Sequence, residues 1–212
     1  MTSAVDDHPC GCNLTHRPRR VVLTGGPGAG KTTTLGILRR YLCQHVAILP
    51  ESASILFSGG FPRFADDGSK RAAQRAIFSV QHQLEVIPPL RDDRAVVLCD
   101  RGTVDGLAYW PGDPSDFWSS LGTTHEAELA RYDVVIHLRT PRDGLYQRSA
   151  VRTETIEEAR AVDARIEEAW SKHPRRHLIE AERDFLSKAL HVLDIVRDVV
   201  PPCCKERDGV MT

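Results

Sequence analysis

Gly25-Gly26-Pro27-Gly28-Ala29-Gly30-Lys31-Thr32 matches the spacing G-x-x-x-x-G-K-[ST], and Thr33 follows it. Glycines at such positions let successive backbone N–H groups turn inward around a phosphate without Cβ clashes. A helix opening at the lysine adds unpaired donors and the positive end of its dipole. In that chemistry Lys31 bridges the β- and γ-phosphates and the Thr32 hydroxyl completes the shell of a Mg²⁺ ion. The bland alternative is a glycine turn with a chance lysine. An apolar run directly before the loop and a helical pattern directly after it favour the phosphate site.

A metal held against phosphates needs an acidic group nearby. The run from Ala95 to Cys99 ends in Asp100, which places a carboxylate at the edge of a buried strand where ligands gather in open α/β sheets. An aspartate ending a strand is often only a turn or cap residue; beside Lys31 the metal role is favoured. Glu51 follows Val46–Leu49 and Pro50. It suits a general base or a group that orients an attacking hydroxyl, and it equally suits a solvated loop. Arg101 either pairs with a phosphate, steadies Glu51, or lies on the surface.

Two further groups bear on an acceptor. Arg139, Arg142, Arg148 and Arg152 fall together, with Pro141 and Gly144 among them. They suit a lid that closes over a γ-phosphate and neutralises the charge developing during transfer, or else a solvated helix start. Gln74, Phe78, Gln81 and Glu85 form a polar and aromatic stripe on one helix. Phe78 and Gln81 could stack on and hydrogen-bond a planar base, although such a stripe is more often a boundary between core and solvent.

The elements that must position these residues are legible in the apolar pattern. Val21–Leu23, Val46–Leu49, Ala95–Cys99 and Val134–Leu138 are continuous rather than alternating runs, as strands covered on both faces of a parallel sheet should be, and His177–Ile179 is a weaker fifth. Leu35, Leu38 and Leu42, then Ala73, Ile77, Val80 and Leu84, recur at helical spacing between them. Thr155-x-x-Glu158 is a capping box opening a helix with Ile156, Ala159, Ile166 and Trp170 on its apolar face. The last helix carries Phe185, Ala189, Val192, Val196 and Val199 and stops before Pro201 and Pro202. Alternating strands and helices predict right-handed crossovers and a helix-covered parallel sheet. Pro111–Ser120 is expected to be a surface excursion.

The chain has 212 residues, enough for one well-buried domain. Residues 1–19 and 201–212 are expected to be flexible tails flanking a domain over 20–200. Hydrophobic residues at 41% and charged residues at 27% fit a water-soluble globular protein. Nothing in Met1–Arg20 resembles an apolar leader, so a cytoplasmic location is expected. The formal net charge of −1 argues against broad nucleic-acid binding. Cys10, Cys12, Cys43, Cys99, Cys203 and Cys204 are expected as thiols. His8, Cys10, Cys12 and His16 lack the C-x₂₋₄-C spacing of structural zinc sites.

Gly25–Thr34, Glu51-Ser52-Ala53, Gln81-x-x-x-Glu85, Asp100-Arg101-Gly102-x-x-Asp105 and Val151-Arg152-Thr153-Glu154 together resemble the NadR/Ttd14-like AAA-domain family. That family is a kinase-type set of P-loop proteins, and the likeness runs from about Arg20 to about Leu190. It implies a three-layer α/β fold with a five-stranded parallel sheet in the order 2-3-1-4-5 and an arginine-bearing lid. It also implies acceptor and metal positions at Glu51, Asp100 and Arg101. One branch of the family resembles a ribosylnicotinamide kinase. The other, which this chain resembles more around Val151–Glu154 and His173-Pro174, resembles a GTP- and phosphoinositide-binding factor. The expectation is therefore transfer of the γ-phosphate of Mg·ATP to a small nucleoside-like acceptor, or alternatively an ATP- or GTP-dependent switch. No N-K-x-D guanine-reading motif is present.

Overall fold

The computed structural model describes residues 16–88, 94–141, 155–180 and 185–202. Five strands, β1 (Arg19–Thr24), β2 (Val46–Leu49), β3 (Val96–Asp100), β4 (Val134–Leu138) and β5 (Arg176–Ile179), form one sheet in the order β2-β3-β1-β4-β5. Every pairing is parallel. The expected fold class and strand order therefore hold. β1 lies at the centre, with Leu23 opposite both Asp100 and Ile136.

The continuous apolar runs are explained by burial on two faces. Val21 and Leu23 of β1, with Val96 and Leu98 of β3, point into a core shared with α1 (Lys31–Tyr41) and α7 (Phe185–Val199). Val22, Val97 and Cys99 point the other way, toward Val162, Ile166 and Trp170 of the segment around α6 (Ile156–Ala169). The capping box at the start of α6 is closed: Glu158 N–H donates to Thr155 Oγ1 at 3.2 Å and Thr155 N–H to Glu158 Oε2 at 2.7 Å.

The structure departs from the sequence expectation in three ways. Pro111–Ser120 lies mostly at the surface, as expected, but it is not irregular, because α4 (Pro114–Leu121) begins inside it and buries Phe117 and Trp118. Asp113 caps that helix through Ser115 N–H, Pro114 takes the first turn, and Gly122 ends it in the left-handed region. The turn-forming residues were helix punctuation, and burial of Phe117 contributes about 1.5–3 kcal/mol. Two short helices, α2 (Ser52–Ser58) and α5 (His125–Leu129), had no periodic signal to reveal them.

The third departure is α3 (Asp67–Val86). Its buried residues are Ala73, Gln74, Gln81 and Glu85, whereas Ile77, Val80 and Leu84 are only half-buried. The polar face turns inward because partners wait there. Glu85, fully buried, accepts from Gln81 Nε2 at 2.9 Å, Tyr132 Oη at 2.8 Å and Arg131 at 2.6 Å. Gln81 is 1% exposed and Phe78 packs against His82. The expected base platform of Phe78 and Gln81 is therefore replaced by a buried ion-pair network.

Candidate functional site

The loop between β1 and α1 sits at the carboxyl edge of the central strand. Gly25 has φ 133°, and a Cβ there would collide with the Leu138 carbonyl, so only glycine fits. The loop carbonyls are committed to the protein side. Gly25 O accepts from Lys31 Nζ at 2.9 Å and from Arg101 at 3.2 Å, and Gly26 O accepts from Lys31 Nζ at 3.0 Å. Pro27 O accepts from Thr140 Oγ1 at 3.3 Å, and Ala29 O accepts from Lys188 Nζ at 3.1 Å. The Gly28 and Gly30 N–H groups, which share peptides with the Pro27 and Ala29 carbonyls, turn away from those contacts, as the donors of an anion-binding nest do.

Lys31 is buried at the start of α1, while Thr32 and Thr33 are exposed there. Burial, and after it Arg101, lowers the Lys31 pKa to about 8 against the attraction of Asp100, Glu51 and Asp105. Asp100 closes β3, and burial raises its carboxyl pKa to about 6. Its Oδ1 is buried with no hydrogen-bond partner. An orphaned buried carboxylate oxygen beside a buried ammonium fits a hard cation that brings its own phosphate and water ligands. Among the described residues no three His, Cys, Asp or Glu side chains form a metal cluster by themselves.

Glu51 caps the start of α2 and meets Arg101, whose Nε–H donates to Glu51 Oε1 at 2.6 Å. Burial alone would raise the Glu51 pKa, but Arg101, with Ser54 and Lys31, outweighs it and holds the carboxyl at about 2. Arg101 also donates to Asp105 Oδ1 at 3.1 Å and lies 5.8 Å over the Tyr109 ring. Its φ of 71° is left-handed, a strained conformation for arginine that those contacts hold in place. Asp105 in turn accepts from Thr24 Oγ1, Gly102 N–H and Trp170 Nε1. The three chain segments around Glu51, Asp100 and Gly25 are thus fastened through one guanidinium.

The arginine cluster is divided. Arg139 forms ion pairs with Glu167 and, at 3.9 Å, with Glu180, so it is tied to α6 and the end of β5 rather than free to act as a lid. Arg142, Arg148 and Arg152 lie outside the described residues.

Two residues at the loop escaped the sequence reading. Lys188 sits on the buried face of α7 and donates to Ala29 O and to Arg139 O, each at 3.1 Å. Asp163 of α6 accepts the Gly26 N–H at 2.7 Å. Each was visible as a charge on an otherwise apolar helical stripe.

The family model for an AAA domain matches residues 20–185. The chain belongs to this AAA domain family. No curated protein matches the sequence. Among solved structures, the AAA domain superposes on a thymidylate kinase from Candida albicans with a TM-score of 0.58 at 14% identity, covering 86% of this chain and 92% of that one. A thymidylate kinase from Ehrlichia chaffeensis gives 0.55 at 17%, covering 84% and 98%. NadR, in a structure described as a complex with NR, gives 0.65 at 17%, covering 86% of this chain and 51% of its own. The chain thus spans about half the length of NadR, and these likenesses concern the fold. Among the described residues no helix is long and apolar enough to cross a membrane.

Proposed function

We propose that this AAA domain binds Mg·ATP, or alternatively GTP, at the Gly25–Thr33 loop and transfers the γ-phosphate to a small nucleoside-like acceptor. The observation that carries the reading is the placement of the Glu51–Arg101 pair against Gly25, because Arg101 contacts both the acceptor-side carboxylate and the phosphate loop. When bound, the nucleotide supplies the phosphoryl group and Mg²⁺ neutralises its charge. Lys31, now on the Gly25 and Gly26 carbonyls, would pair with phosphate oxygens, and Thr32 and Asp100 would hold the metal. A carboxyl with a pKa of about 2 is a weak base at neutral pH. Glu51 therefore acts by accepting a hydrogen bond from the acceptor hydroxyl and orienting it, rather than by taking its proton early. Arg148 and Arg152 are assigned the same lid role as in the sequence expectation. The domain boundaries, 20–200, are likewise part of the proposal.

A nucleotide-dependent switch is the second reading. It is favoured by Gln81, which is bound to Glu85 instead of facing an acceptor. The deciding experiment is ATP and GTP turnover with Mg²⁺, with and without a panel containing nucleosides, thymidine monophosphate and nicotinamide riboside, and with Lys31→Ala as the blank. Acceptor-stimulated turnover that vanishes in the blank supports the kinase. Nucleotide binding with no stimulated turnover supports the switch, and no binding defeats both.

A further inference from the structure

The first half of the phosphate loop is held by a carboxylate that comes from the far side of the sheet. Asp163 Oδ1 accepts the Gly26 N–H at 2.7 Å and also contacts His137 Nε2 at 2.9 Å, and its Oδ2 accepts the Thr140 N–H at 3.2 Å. The approach is close: a Cβ on Gly26 would lie 2.8 Å from the Asp163 Cβ and 3.0 Å from the Ala159 carbonyl. Thr140 completes the contact through Pro27 O. His137 is fully buried in β4 and its Nδ1 has no partner. A carboxylate only accepts, so the proton must sit on Nε2. Burial works to raise the Asp163 pKa, but the His137 hydrogen bond and the two amides outweigh it and keep the group ionised.

We infer that Asp163, set by His137, is a positioning residue that removes the Gly26 N–H from the phosphate cradle and fixes the loop's register, leaving the later loop amides as the phosphate donors. The inference rests on the nucleotide-binding reading above. An ionised acceptor sharing an amide with a phosphate would repel it, so Gly26 serves one partner or the other. The observed 2.7 Å contact assigns it to Asp163. α6 and β4 therefore carry the front of the loop, while Lys188 of α7 carries its back at Ala29.

The test uses ¹⁵N-labelled full chain, Mg·ATP titration and two variant pairs. In the wild type the Gly26 amide resonance should lie downfield and move least on titration, while those of Gly30, Lys31 and Thr32 move together. Asp163→Ala should shift Gly26 upfield and raise the Mg·ATP Kd at least tenfold. Asp163→Asn, which retains one acceptor but sets an amide against Thr140 N–H, should fall between. His137→Gln, which retains an Nε2 donor, should bind better than His137→Leu. Should Asp163→Ala not fold, the Asn variant and the histidine pair decide. A Gly26 amide that titrates with the others, or folded Asp163 variants with a Kd within twofold of wild type, overturns the inference. Absence of Mg·ATP binding by the wild type would instead count against the nucleotide reading. The ligand-free shift of Gly26 between wild type and Asp163→Ala still tests the Asp163 contact in that case: no upfield move in the folded variant overturns it.

Discussion

Arg101 Nε–H donates to Glu51 Oε1 at 2.6 Å, joining residues 50 positions apart in sequence. The pair sets the charge of the Glu51 carboxyl. The Glu51 pKa drops from 4.5 to about 2 in the fold, so its ionised form stabilises the protein above pH 4.5 and that contribution is lost as pH falls toward about 2. Arg101→Met removes the attraction and leaves burial dominant. The Glu51 carboxyl, followed by side-chain ¹³C NMR, should then titrate at a higher pH than in the wild type, with Ser54 and Lys31 still opposing burial; an unchanged titration would show that Arg101 does not control it. Glu51→Gln should lower acceptor-stimulated turnover by about 10²-fold, the order expected for lost orientation of the hydroxyl, while Mg·ATP still binds.

Lys31 gives two pH effects of opposite sign. Its pKa falls from 10.5 to about 8 on folding, so the unfolded chain binds more protons between those values and stability rises with pH across that window. Phosphate affinity should fall over the same range as the ammonium deprotonates. Chemical denaturation and Mg·ATP binding at pH 7.5 to 10 would measure both, with Lys31→Met as reference. The variant should lose the stability slope and weaken Mg·ATP binding by about 10²-fold, given about 1.5–3 kcal/mol for each charged hydrogen bond removed. Equal slopes in both proteins would assign the effect to another group.

Much of this was legible because function and burial placed unusual residues in usual patterns. The loop spacing, the carboxylate ending the β3 run and the five apolar segments were local signals, and local signals survive in a single sequence. The inward polar face of α3 was not. Gln81 and Glu85 look like surface residues until Arg131 and Tyr132, more than 40 residues downstream, supply their partners. Asp163 and His137 were missed for the same reason, since each interrupts an apolar run and only the tertiary fold shows what satisfies it. α4 was misread because Asp113 and Pro114 serve a turn and a helix start equally well.

Asp100 should trade stability against metal binding. Its pKa rises from 3.8 to about 6 on folding, so the protonated form favours the fold below 3.8 and that advantage is lost as pH rises through about 6. Asp100→Asn should therefore stabilise the protein at pH 7.5 by on the order of 1–3 kcal/mol. The same change should abolish the Mg²⁺ dependence of nucleotide binding. Thermal melts and binding with Mg²⁺ or EDTA report the two effects. A variant that is less stable than the wild type would contradict the reading of Asp100 as an uncompensated buried charge.

The network under α3 should behave as structure alone. Arg131 donates to the fully buried Glu85 at 2.6 Å and approaches Glu128 at 3.3 Å. Arg131→Met leaves the buried Glu85 with Arg20, at 3.9 Å, as its remaining charged partner and should destabilise the fold by about 3–5 kcal/mol. Adding Glu85→Gln should recover part of that loss. Folded variant should bind Mg·ATP as the wild type does, and a large Kd change without a change in stability would place this network in the site.

The central position of β1 also governs when the phosphate loop can take shape. Arg19 pairs with Val96 and Val21 with Val134, so the strand that leads into the loop has no neighbour until a much later part of the chain arrives. Closing those long segments costs entropy before any pairing rewards it, and parallel sheets of this kind assemble slowly. During synthesis Gly25–Thr33 emerges well before Leu138, Thr140, Asp163 and Lys188, which support it. The loop is therefore made long before the residues that complete it, and a chain cut short between those points carries the motif without the site.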